Sequence, residues 1–110
     1  PLRALCAEDG VKGAVVTDLQ GRVVVALNLA DDKADLVAAL AAEVSANAAN
    51  VHAMLGHEQS VSWLVDGEQG TLMAFRRDAN LTLVVLTAPG VRAALLELRA
   101  RQALIDLGGA

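Results

Sequence analysis

Residues 32–55 read DKADLVAALAAEVSANAANVHAML. The stretch has no Pro and no Gly and few charges, so it predicts one long helix. Leu36, Leu40, Val44, Val51, Met54 and Leu55 recur at helical spacing, with Val37 on the flank, and form an apolar stripe. The opposite side holds Ala38, Ala42, Ala46, Ala49 and Ala53, with Asp35 and Ser45 among them. A helix that is apolar on one side and small on the other is usually covered on both. The stripe is therefore expected to dock on a sheet of the same chain, and the alanine side to admit a second helix. A chain of 110 residues has few helices to spare, so the second helix is expected from another copy. The competing explanation is that exposed alanine is simply a good helix former.

The flanks decide what the helix packs on. Residues 13–17 (GAVVT) and 23–27 (VVVAL) are β-branched runs around Asp18-Leu19-Gln20-Gly21, which predicts a tight hairpin with a type I turn. Asp32 is the expected N-cap, Asp35 sits in the first turn, and Gly56 is the expected stop after the helix. Three further strands follow, at residues 61–65, 71–76 and 81–87, with turns at 66–70 and 78–80. Pro89 suits the start of a last helix, whose expected inner face is Val91, Leu95, Leu98 and Ile105. A short helical stretch, Leu2 to Ala7, precedes everything. Strands joined by short turns are antiparallel. These strands are apolar on both faces, so helices are expected on both sides of one five-stranded sheet, an α+β class.

Composition excludes several functions. The net charge is −4 and aromatic content is 2%, with only Trp63 and Phe75, which argues against nucleic-acid binding and against a membrane surface. No apolar run is long enough to span a bilayer, and no signal peptide is visible. The single Cys6 allows no internal disulfide and fits a reducing compartment, so a cytoplasmic location is expected.

Chemistry is mostly missing. Neither G-x-x-x-x-G-K-[ST] nor G-x-G-x-x-G occurs. His52 and His57 straddle Gly56 and share no helix face, so they read as polar residues at a helix end rather than metal ligands. Cys6 reads as a small hydrophobe, and no serine has a nucleophile context. No catalytic, cofactor-binding or metal-binding residue is assigned, and no cofactor is expected. Trp63, on one strand face with Val61 and Val65, reads either as core or as an anchor on an edge strand that pairs with another chain.

Together the hairpin of residues 13–21, the alanine-rich helix ending at Leu55-Gly56, Gly70-Thr71-Leu72 opening a strand, and residues 81–87 followed by Pro89 and a closing helix resemble the Roadblock (dynein light-chain) family. The resemblance covers nearly the whole chain and is closest in character to a bacterial or archaeal branch of the MglB type. It implies one domain over residues 1–110 with a profilin-like architecture. The long helix lies on one face of the sheet and the N- and C-terminal helices on the other. It also implies dimers that join sheets edge to edge through the strand after the long helix, with the two long helices side by side. Such dimers serve as platforms for Ras-like small GTPases. The MglB type stimulates GTP hydrolysis by its partner without donating a catalytic residue.

On this basis the expected homodimer interface is Ala38, Ala42, Ala46, Ala49, Ala53, Val61, Trp63 and Val65. A glutamate at Ala42 is expected to weaken it by burying an unpaired charge. Glu43, Asn47 and Asn50, on one shoulder of the helix, are the expected contacts for the GTPase. The alternative is a small-molecule sensor of the PAS, GAF or profilin-like kind, which would need a cavity with convergent polar groups.

Overall fold

The computed structural model describes residues 2–18, 20–57, 62–77, 81–90 and 93–109. The β-branched runs form the strands expected of them. In chain order the elements are α1 (Leu2–Cys6), β1 (Val11–Thr17), β2 (Val23–Leu27), α2 (Asp31–Met54), β3 (Ser62–Gly67), β4 (Gly70–Arg76), β5 (Thr82–Thr87) and α3 (Ala93–Gly109). The strands make one five-stranded sheet in the order β2-β1-β5-β4-β3, antiparallel at every pairing. The first hairpin and the last are thus brought together by β1 and β5, which lie side by side at the centre. Val15 faces Val84 and Val16 faces Leu83 across that pair.

The turn between β1 and β2 is built by Asp18. Its backbone carbonyl accepts the Gly21 N–H at 3.1 Å, which closes the turn. Its carboxylate accepts the backbone N–H groups of Gln20 and Arg22, each at 2.9 Å, and pairs with the Arg22 guanidinium at 3.0 Å. The backbone N–H of Arg22 is the largest of the effects that hold the Asp18 carboxyl below its ordinary range.

Alternation along the strands sends side chains to two cores. On one face Ala14, Val16, Met73, Phe75, Leu83 and Val85 pack with Leu5 of α1 and with Leu96, Ala100, Ala103 and Leu104 of α3. On the other, Val15, Ala74 and Val84 pack with Ala34, Val37, Ala38 and Ala41 of α2. The expected placement of the long helix on one face and the terminal helices on the other holds.

Pro89 lies in a turn ahead of α3, which starts at Ala93, and the turn expected over residues 66–70 shrinks to 68 and 69, between β3 and β4. Three larger details also differ from the sequence reading. The long helix starts at Asp31, and its N-cap is Ala30, with no side-chain capping bond. Asp32, the expected cap, instead accepts the neighbouring Lys33 N–H at 2.9 Å, one residue inside the helix where its charge still favours the dipole. In α3 the buried residues are Leu96, Ala100, Ala103 and Leu104, while Leu95, Leu98 and Ile105 are exposed. That helix has apolar residues on two sides. Packing on α1 and β5, with Arg99 meeting Glu8 at 3.6 Å, selects the side with the smaller residues. Val91 lies outside the described residues. The third difference concerns α2 and bears on function.

Candidate functional site

In α2 the face turned to the sheet is neither of the two expected sides but the strip between them. Ala34, Val37, Ala38 and Ala41 are buried, Val37 from the flank of the bulky stripe and Ala38 from the alanine side. The bulky stripe points outward: Leu36 is 53% exposed, Leu40 45%, Val51 55% and Met54 87%. The cause is depth. The sheet beneath α2 already presents valines at 15 and 84, and alanines on the helix let it approach them closely. A leucine surface would be held further off.

This corrects the expected interface at Ala38, which is 1% exposed and belongs to the chain's own core. The small size of Ala42 has an internal reason as well. A Cβ placed on Gly21 would lie 2.9 Å from the Ala42 Cβ, so the β1–β2 turn crosses this flank of α2 closely. Ala42, Ala46, Ala49 and Ala53 are all exposed. Glu43, Asn47 and Asn50 are exposed too. Asn47 falls within the outward stripe, one turn from both Val44 and Val51.

All four buried residues of α2 lie in its first half, over β1, β2 and β5. From Ala42 to Met54 no residue is buried. The second half is held to the sheet at Ser45, whose hydroxyl oxygen accepts the Trp63 indole N–H at 2.8 Å. Trp63 is half-buried against the α2 core. It packs on the core, one of the two readings left open for it, and does so from an edge strand. Sequence periodicity gave no sign of Ser45 as its partner, because a single serine in a helix carries no such signal.

β3 is that edge strand, with a neighbour on one side only. Val65 shares the α2 side with Trp63 and is exposed, and Leu64, on the α3 side, is exposed as well. Val61 lies outside the described residues. On the α3 side the strand is fastened by Arg101. Its guanidinium lies 5.4 Å from the centre of the Phe75 ring, and it donates to the Ser62 hydroxyl at 3.4 Å and to Glu97 at 2.9 Å.

The geometry is therefore an open sheet edge beside a helix half that carries an exposed apolar stripe. Backbone N–H and C=O groups along such an edge seek partners, and so do large apolar residues clustered on one surface. Cys6 is half-buried near the α1–α3 core, and burial pushes its thiol up, away from the reactive thiolate. No helix among the described residues is long and apolar enough to cross a membrane.

The model of the Roadblock/LC7 domain matches residues 2–87, from α1 to the end of β5. The chain belongs to the Roadblock/LC7 family. Solved structures share its fold. A Roadblock/LC7 domain from Streptomyces avermitilis superposes with a TM-score of 0.92 at 20% identity, covering 98% of this chain and 92% of that one. MglB of Myxococcus xanthus gives 0.83 at 18% identity, over 94% of this chain and 79% of its own. The gliding protein MglB of Thermus thermophilus gives 0.83 at 20% identity, with the same coverage of 94% and 79%. A further MglB structure, described as a tetrameric arrangement, gives 0.86 at 20% identity. No curated protein matches the chain significantly in sequence. The Roadblock/LC7 assignment matches the architecture above, with the long helix alone on one face and β3 at the edge.

Proposed function

We propose that the protein is a non-enzymatic homodimeric regulator whose paired α2 helices form a platform for a Ras-like small GTPase. The observation that carries this reading is the coincidence of the open β3 edge with the outward stripe of α2. A second copy related by a twofold axis at that edge would add its own β3 to the sheet. It would also bring its α2 alongside, and both unpartnered surfaces would be covered by one isologous contact. The half of α2 that lacks a supporting core is about as long as an isolated helix that is marginal in water. Packing against a second helix supplies what the chain's own sheet does not.

In this dimer the contact residues are Leu40, Val44, Val51 and Met54 together with Trp63 and Val65. Ala46, Ala49 and Ala53 lie on the other exposed flank of α2. Glu43 and Asn50 point away from the sheet, with Asn47 beside the contact, and form the surface offered to the GTPase. The family assignment supports a regulatory role of this type, as does the likeness in fold to MglB proteins. The regulator acts by shaping its partner and donates no catalytic group.

The test is to mix the protein with Ras-like GTPases from its own source and follow phosphate release. The expected result is a change in hydrolysis rate or nucleotide exchange that disappears in Leu40→Glu, a variant aimed at the dimer. Binding and hydrolysis that are identical for the wild type and Leu40→Glu would contradict the platform reading.

A further inference from the structure

His52 and His57 are not apart. Their Nδ1 atoms lie 3.1 Å from each other, with ring centres 5.3 Å apart and planes tilted by 40°. The backbone brings them together. Gly56 has φ +74°, a left-handed conformation that glycine adopts without strain. The Gly56 N–H donates to the Ala53 carbonyl at 3.1 Å, and the His57 N–H donates to the His52 carbonyl at 2.8 Å. These two bonds are the Schellman ending of a helix, in which the residue after the glycine folds back onto the residue four positions before the glycine. That pair is usually apolar. Here it is two imidazoles.

We infer that His52 and His57 form a chelating site for a divalent first-row transition-metal ion at the C-terminal end of α2. With both rings neutral and protonated on Nε2, each Nδ1 offers a lone pair, so a metal ion held by both displaces no proton. The ion sits to one side of the line between the two nitrogens, and ring rotation turns both lone pairs toward it. Two nitrogens 3.1 Å apart, each at the usual metal–imidazole distance of about 2.1 Å, subtend an angle of about 95° at the ion. That lies between tetragonal and tetrahedral coordination, within reach of copper, nickel and zinc. Among the described residues no cluster of three or more His, Cys, Asp or Glu side chains is placed to hold a metal. The site opens to solvent, since Leu55, Gly56 and His57 are exposed, and water has access to the remaining coordination positions.

Ni2+ added to tag-free protein and followed by amide NMR tests the site directly, because a paramagnetic ion broadens the signals nearest to it. The expected result is selective loss of the signals of residues 51–57, abolished in His57→Ala, with Zn2+ competing and Mg2+ without effect. Gly56→Ala retains both imidazoles but disfavours the left-handed turn, so it is expected to weaken Ni2+ binding. Absence of selective broadening in the wild type would overturn the inference. So would equal broadening in His57→Ala, or undiminished binding in Gly56→Ala.

Discussion

Trp63 and Ser45 show how much one side-chain pair decides. The indole N–H reaches the serine hydroxyl at 2.8 Å and ties the unsupported half of α2 to the edge strand. Ser45→Ala removes the acceptor, which costs about 1 kcal/mol. It also gains about 0.5 kcal/mol of helix propensity. The expected net loss in urea unfolding is therefore about 0.5 kcal/mol. A double-mutant cycle with Trp63→Phe recovers the hydrogen-bond part alone, near 1 kcal/mol. A coupling of zero would mean that the bond contributes nothing in solution. Trp63 itself was legible as an important position because it is the sole tryptophan on a short apolar strand. Its partner was not legible, since the contact spans 18 residues and depends on how α2 crosses the sheet. The histidine pair was hidden for a similar reason. Spacing along a continuous helix separates positions 52 and 57, and only the reversal at Gly56 rejoins them.

The helices illustrate the limit of periodicity at the scale of elements. The strands and turns could be read because glycine, aspartate and β-branched runs each carry a local backbone preference. The stop at Gly56 could be read for the same cause. Which side of α2 faces inward could not. Periodicity locates a bulky side and a small side but says nothing of the depth of the sheet beneath them, and that depth favours alanine. The same ambiguity exchanged the faces of α3. Two substitutions on adjacent residues of α2 separate the sides. Ala41→Leu places a larger side chain where the residue is 3% exposed, so it is expected to lower unfolding stability by about 1–3 kcal/mol through overpacking. Leu40→Ala, on the outward side, is expected to leave the fold of each chain intact and to weaken self-association instead. Denaturant unfolding of both, at low and high protein concentration, distinguishes these effects. A fold as sensitive to Leu40→Ala at low concentration as to Ala41→Leu would contradict the assignment of faces.

For the molecule as a whole, the strand order β2-β1-β5-β4-β3 leaves β3 at one edge, and α2 ends over that side with its larger apolar residues outward. A single antiparallel sheet was legible because short turns join antiparallel neighbours, but the central β1–β5 pairing was not, since no short turn joins those two strands. The surface that links the fold to its proposed task was only half legible: the sequence pointed to an edge strand and to a long uncharged helix, but it set the bulky stripe inward, where Leu36, Leu40, Val51 and Met54 are in fact exposed. A stable homodimer is the central claim, and the GTPase platform depends on it. Molar mass by light scattering over a dilution series tests that claim most directly. The account predicts twice the chain mass of 11.4 kDa, held into the low micromolar range and reduced toward the single-chain value in Leu40→Glu. A wild-type protein that shows the single-chain mass throughout would contradict it.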